Sequence, residues 1–371
     1  MRCIIQRKNS MDKYYPKLSS AYITSTFPWS APTASIEINT NVSTGTAGYM
    51  SPIRVDDIIR IQSNVWYSSD EKPVWQDIFE GRIMKIESRF GRDNITTLQC
   101  RGHAEELLYR IVTADYSAAA TTTGAMLSAL MAYLSRITDA SPSLIDSAAS
   151  SSIANYNIQL DTKYMIDVVR EFEALESYGY IFSVMPQYDS SDNLSAVYAS
   201  WQPVPATASK TVQIIEGTPR LISASFSDSI EQLVEDVTVY GNAVSGTSID
   251  GSPAYGTRFH VEVDTNIASA ALCTSMAAAI RGRYGSSIVK GSAQILGDPN
   301  IIVGDLVRCK IPSIELNGAT IDGNYRCTRV THQINKMGWE TYVDLGELDI
   351  SVYELLAGFL VKSRLTSANF I

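Results

Sequence analysis

Apolar and polar residues alternate over 34–40, where Ile36 and Ile38 point one way and Ser35, Glu37 and Asn39 the other, the period of a half-buried strand. Three more β-rich runs follow at 57–67, 77–88 and 94–101, separated by Ser-Asp, Lys-Pro and Gly-Arg-Asp-Asn turns. The stretch from about 20 to 102 therefore predicts a small antiparallel barrel or sandwich.

From His103 the period becomes helical. Residues 103–112 and 122–137 read as helices, the second with Met126, Leu130 and Leu134 beside Leu127 and Met131. A Ser/Ala/Pro-rich loop over 139–152 leads to a helix opening at Asp161, with Met165, Val168, Val169, Phe172 and Leu175 as its apolar stripe. A hairpin over 180–185 and 194–201 turns at Asp189 to Asn193. Strands resume at 211–215, 221–227 and 233–240, and a Gly/Ser-rich loop over 241–256, a strand over 258–264 and a small-residue helix over 266–283 interrupt them. The last strands are expected at 304–311, 324–333 and 340–346, before a short helix from Ser351.

Two places in the chain share a grammar. Asp57 opens the run DIIRI, Gly81 sits within FEGRIMKI, Gly91 marks a turn, and ITTLQ follows. Further on, Asp305 opens DLVRC, Gly323 sits within IDGNYRCTRV, Gly338 marks a turn, and ETYVD follows. Asp57 is preceded by Asp56, and Asp305 by Gly304. An ordered set of elements that occurs once before and once after an α+β region is the signature of an internal duplication. The repeated motif is thus Asp57, Gly81 and Gly91 in one copy, and Asp305, Gly323 and Gly338 in the other.

At these residues the chain resembles the two tube-type barrel domains of phage baseplate hub proteins, the group that includes the late control protein D family and the N-terminal part of VgrG spike proteins. The segments VDDIIRIQ, IFEGRIMKIES and NIIVGDLVRCKIP carry the resemblance together with DGNYRCTRVTHQINKMGWETYVDLGE. It implies an α+β, mainly β fold: two related tube-type antiparallel β-barrel domains flanking an α+β insertion. The expected division is a first barrel at 1–102, the insertion at 103–210, a second barrel at 211–348 with its own insertion at about 241–285, and a C-terminal helix and tail at 349–371.

The resemblance further implies a structural hub of a phage-type tail or contractile injection machine, without catalytic activity and without a cofactor. Three chains with two similar domains each would present pseudo-six-fold symmetry to a hexameric tail tube, and three-fold symmetry to a central spike. The implied partners are a homotrimer, the tail tube protein, the spike, other baseplate proteins and a tape measure protein. DNA is only a passing cargo. The place is the virion tail or baseplate, assembled in the host cytoplasm.

Composition narrows the alternatives. With 30 Lys+Arg against 39 Asp+Glu the formal charge is −9, which disfavours a basic groove that wraps nucleic acid. Charged residues are only 19%, which suits a subunit whose surface is shared with neighbours. Five Cys without a C-x-x-C pair argue for folding in a reducing cytosol. The N-terminus has no signal-peptide core, and no apolar run is long enough to span a membrane.

Chemistry has few candidates. The three histidines are His103, His260 and His332. His260, Glu262 and Asp264 share a strand face and could in principle ligate a metal, although a solvated polar face is the expected reading. His332 is expected at a surface or interface, and Glu105, Glu106, Glu171 and Glu173 at solvated helix positions. The Asp189 run lacks the glycine and terminal Glu of a calcium loop and reads as a turn. No G-x-S-x-G, H-E-x-x-H or Walker loop is present. Two alternatives remain beside the hub: a tail-associated cell-wall hydrolase and a carbohydrate-binding tail-tip protein.

Overall fold

A computed structural model describes residues 1–8, 12–27, 31–39, 53–65, 74–89, 95–113, 122–134, 136–137, 163–176, 180–205, 213–231, 233–251, 256–263, 270–285 and 288–346. Gly91, Asp264, the 139–152 loop and the terminal helix from Ser351 lie outside these residues.

The N-terminal region holds seven strands: β1 (Arg2–Gln6), β2 (Lys13–Tyr14), β3 (Lys17–Thr26), β4 (Thr33–Asn39), β5 (Ile58–Val65), β6 (Val74–Arg89) and β7 (Ile95–Arg101). The middle region holds a 3-10 turn (His103–Leu108), β8 (Ile111–Val112), α1 (Thr123–Leu130), β9 (Lys163–Tyr164), α2 (Met165–Leu175), β10 (Tyr180–Tyr188) and β11 (Leu194–Pro203). The C-terminal region holds β12 (Gln213–Ile215), β13 (Leu221–Ser229), β14 (Asp236–Tyr240), β15 (Ser245–Ser248), β16 (Phe259–Val263), α3 (Ala270–Tyr284), β17 (Ile288–Leu296), β18 (Leu306–Leu316), β19 (Ala319–Asn335) and β20 (Gly338–Gly346). The fold is α+β and mainly β, with largely antiparallel pairing.

Pairing runs β3-β4-β7-β6-β5-β1 in the N-terminal region and β13-β17-β20-β19-β18-β12 in the C-terminal one. The two orders correspond strand by strand, except that β1 is antiparallel to β5 whereas β12 is parallel to β18. Both regions contain a long strand that changes partner midway. β6 pairs with β5 up to Arg82 and with β7 beyond it, and β19 pairs with β18 up to Arg326 and with β20 beyond it. The bend lets a single strand serve two walls around a core. Ile5, Ile59, Ile61, Phe79, Ile83, Ile36 and Leu98 fill the first core, and Val307, Cys309, Ile311, Val330, Val343 and Leu345 the second.

The two regions are joined by β3 and β19, whose ladder runs from Thr26 opposite Arg329 to Ala21 opposite Ile334. Among the described residues the sheet is open. No ladder closes either region on itself: β3 gives its second edge to β19, and β13 pairs only with β17.

A separate core packs Met165, Val168, Val169 and Phe172 of α2, and Met126, Leu127 and Leu130 of α1, against Phe182 and Trp201 of the β10–β11 hairpin. The expected helix over 103–112 is instead a 3-10 turn followed by β8. β-branched Ile111 and Val112 pair with Tyr164 and Lys163, and Val112 is buried, a gain that an exposed helical end would forgo. The helix begun at Thr123 likewise passes into a 3-10 turn at Met131–Tyr133.

Candidate functional site

The best-defined constellation is a pair of turns, one ahead of β5 and one ahead of β18. In the first, the Asp57 N–H donates to the Arg54 carbonyl (3.3 Å), and the Asp57 Oδ2 accepts from the Arg54 N–H (2.9 Å). Asp56 has φ +74°, and its N–H donates to the Ile83 carbonyl (2.8 Å), while the Ile83 N–H returns a bond to the Asp57 carbonyl (3.0 Å). In the second, Asp305 donates to Ile302 (3.3 Å), Gly304 has φ +87° and donates to Cys327 (2.8 Å), and Cys327 donates to Asp305 (2.8 Å). Arg82 reaches the Asp56 carbonyl (3.4 Å), and Arg326 reaches the Gly304 carbonyl (2.6 Å).

Asp57 and Asp305 thus occupy one place in a repeated hydrogen-bond pattern. The glycines do not match in the same way. Gly81 stands opposite Ile59, one position before Arg82, whereas Gly323 stands opposite Cys309, three positions before Arg326. Register makes Tyr325 the counterpart of Gly81. Gly338 sits in the β19–β20 turn opposite Asn335.

The two turns differ in what surrounds them. The Asp56 carboxylate faces Lys8, Arg82 (3.0 Å) and Arg136 (3.4 Å). Burial raises its pKa, but the Lys8 bond and the charges of Arg82 and Arg136 outweigh that and leave it below the ordinary value. Gly304 carries no acid, and a Cβ there would lie 2.8 Å from Ile181 Cδ1. Burial pushes the Asp305 carboxyl up, a shift that the backbone hydrogen bond with Ile302 and the Arg326 charge only partly offset. Asp56 also lines a cleft of about 400 Å³ with Glu105, Glu106, Arg110 and Arg136.

Several expectations are corrected at this point. Glu105 and Glu106 are buried and bound: Arg136 donates to Glu105 (3.1 Å) and Arg110 to Glu106 (3.1 Å), because the 3-10 turn faces inward. Glu173 is also buried and accepts the Phe182 N–H at 3.3 Å, while Glu171 pairs with Lys163 (2.5 Å). His332 is 6% exposed, with Nδ1 at 2.9 Å from the Thr341 hydroxyl, because its position on β19 points into the core beside Ile23. His103 meets Glu80 at 2.8 Å in a buried pair that the sequence spacing did not suggest. His260 and Glu262 lie 3.6 Å apart, and no group of three or more metal-ligating side chains occurs among the described residues. The Asp189 run is a turn: its carboxylate accepts from the N–H groups of Ser191 (2.8 Å) and Asn193 (2.9 Å). Arg60 then ties Asp192 of the same turn to β5 (2.6 Å).

The sheet face turned away from the two cores is unusual in its chemistry. One row crosses it as Ser223, Gln294, Tyr342, Thr331, Thr24 and Thr33, and the next includes Gln333, Tyr22, Ser35 and Gln99. Within these two rows Glu340, which accepts from Gln294 (2.9 Å) and Tyr342 (2.9 Å), is the charged member before Arg101 and Lys85, and the flanking rows carry the Arg329–Asp344 ion pair and Glu37. No helix of the described residues is long and apolar enough to cross a membrane.

Two matched β modules joined edge to edge, with an α+β insertion between them, define the architectural class. Solved structures of similar fold include tail proteins. The chain is similar to the prophage MuSo2 43 kDa tail protein from Shewanella oneidensis, with a TM-score of 0.62 and 10% identity over 93% of this chain and 97% of that one. It is similar to a tail protein from Neisseria meningitidis MC58, with a TM-score of 0.60 and 10% identity over 95% and 98%. A third is the E. coli c3393 protein, described as a type VI secretion component structurally similar to T4 tail proteins gp27 and gp5, with a TM-score of 0.50 and 9% identity over 94% and 78%. No protein-family model and no curated protein sequence matches the chain. The chain therefore shares the fold of these phage tail proteins and of the type VI secretion component, in keeping with the resemblance read from its sequence.

Proposed function

We propose that the chain is a structural hub subunit of a phage-type tail or contractile injection machine, without enzymatic activity. Three copies form a ring that joins the hexameric tail tube to a trimeric spike and lets DNA or protein cargo through. The observation that carries this reading is the matched pair of turns, Arg54 to Asp57 and Ile302 to Asp305, at corresponding places in two corresponding strand orders. A duplicated module is what lets a trimer meet six-fold symmetry. On this reading the modules are 1–102 and 211–348, the latter interrupted at about 241–285, with 103–210 as insertion and 349–371 as a tail. The subunit belongs to the virion tail or baseplate, is assembled in the host cytoplasm, and also contacts other baseplate proteins and a tape measure protein.

The neutral rows of hydroxyl and amide groups suit the wall of the passage. A polyanion that slides past them meets no array of cations to hold it. Mass measurement and electron microscopy of the purified protein test the proposal. Three chains of 40.7 kDa give a ring of about 122 kDa with a central hole. A chain that stays monomeric both alone and with the tube protein overturns it.

A further inference from the structure

The described chain exposes two apolar patches. In the first, which follows β7 on the chain, Ile111 stands opposite Tyr164, Tyr109 lies two residues earlier, and the Tyr133 hydroxyl donates to the Thr113 carbonyl (2.6 Å). Tyr109 is 59% exposed, Ile111 53%, Tyr164 47% and Tyr133 41%. In the second, the separate sheet β15-β14-β16 is covered by α3 on one face only, where Val237 and Val239 are buried. Its other face shows Tyr240, Phe259, Val261 and Val263, with Phe259 76% exposed. Isolated surface hydrophobics are ordinary, but clusters rich in Tyr and Phe mark contact surfaces.

The charges beside the two patches are opposite and unspent. Arg101 reaches only the Tyr109 hydroxyl (3.4 Å), and Asp236, opposite Phe259, accepts only from the Asp250 N–H (3.0 Å). Neither makes an ion pair among the described residues.

A closed three-fold ring is heterologous: each copy must offer two different surfaces, one to each neighbour. The two patches lie on separate small sheets, β8-β9 and β15-β14-β16, and are two different surfaces, as a head-to-tail ring requires. We propose that in the ring the Tyr109, Ile111, Tyr133 and Tyr164 patch of one copy seats on the Tyr240, Phe259, Val261 and Val263 face of the next, with Arg101 meeting Asp236. The proposal rests on the trimeric reading above and adds the surfaces that close the ring.

Disulfide trapping tests it. The five native cysteines are all buried, so thiols introduced by Ile111→Cys and Val261→Cys are the ones free to react. The double variant should yield covalent dimers and trimers on oxidation, and neither single variant should. Phe259→Asp with Val261→Asp should weaken trimer association at least tenfold without changing the melting curve of the monomer. Arg101→Asp should weaken it too, and adding Asp236→Arg should restore it. A chain that is trimeric as wild type, gives no cross-link as the double cysteine variant and keeps its trimer with the aspartate pair overturns the pairing and leaves the ring standing. A photo-reactive residue at position 261 that captures residues 347–371 of its own chain also overturns it. A chain that never forms trimers overturns the ring itself.

Discussion

Asp56 and Gly304 hold the same backbone position in the two modules: φ is +74° and +87°, and each N–H donates over 2.8 Å to the carbonyl of a bent strand, at Ile83 and Cys327. Left-handed backbone costs a non-glycine residue about 1–2 kcal/mol, and Asp is among the few that tolerate it. What offsets the cost at Asp56 is its carboxylate, which holds Lys8, Arg82 and Arg136 together.

Asp56→Asn keeps a residue that accepts the left-handed turn and removes the charge. Arg82, whose side chain is 9% exposed, then loses its ionic partner. We expect a loss of about 1–3 kcal/mol, read as a lower denaturant midpoint at unchanged slope. Because the folded pKa of Asp56 is depressed, its contribution is present above the ordinary carboxylate range and is lost as pH falls through the folded value. The gap between wild type and variant should therefore close in strong acid. Gly304→Ala should cost about 2 kcal/mol or more, from the backbone and from the contact with Ile181.

The two glycines that match in sequence should respond differently. A Cβ at Gly81 would lie 2.0 Å from the Arg101 carbonyl oxygen, a backbone atom that cannot swing away. At Gly323 the nearest atoms belong to the Tyr325 ring, at 3.3 Å. Gly81→Ala should therefore cost about 3 kcal/mol, and Gly323→Ala under about 1 kcal/mol. Equal losses in thermal melts would mean that both glycines serve one steric role.

This contrast shows what the sequence could and could not carry. Aspartate-led strands and their order were legible, because an alternating strand with a turn residue ahead of it leaves a local trace. The equivalence of Arg82 with Arg326 was not, since it depends on cross-strand register, and the linear spacing pointed to glycines two positions out of step. β17 was missed because Lys290, Gly291, Ser292 and Ala293 hide its alternation, although Ala293 and Ile295 face the core. The burial of Glu105, Glu106 and His332 was hidden for a related reason: polar residues covered by tertiary partners look solvated in sequence. The two mostly uncharged rows of the outer sheet face also emerged only when strands distant in sequence were laid side by side.

His332 should make stability fall in mild acid. Burial lowers its pKa from 6.5 to about 4, with Asp298 opposing only weakly. The folded state keeps it neutral, so stability is full above pH 6.5 and falls until about pH 4, where both states bind the proton. The whole effect is about 3 kcal/mol. Glu80, raised by burial despite its bond to His103, acts with the opposite sign, stabilising below the ordinary carboxylate value and losing that as pH rises. Wild type and His332→Gln share Glu80, so the difference between their denaturation midpoints isolates the histidine. It should change by about 3 kcal/mol between pH 7 and pH 4, and a constant difference would refute the assignment.

The passage assignment is tested by adding charge to the neutral rows. Thr24 stands between Thr331, which is buried, and Thr33 on β4, which is exposed. The double variant Thr24→Lys with Thr33→Lys places two new cations in each chain. In a ring of three chains that makes about six phosphate contacts available, for a slope of log K against log salt of about −5. The wild-type ring should show no salt-dependent retention of duplex DNA, and the variant should retain it below about 0.1 M salt and eject it more slowly from an assembled tail. Both effects must appear in rings of normal mass. If the lysines instead prevent ring formation, the face is a contact between subunits, and the passage runs elsewhere.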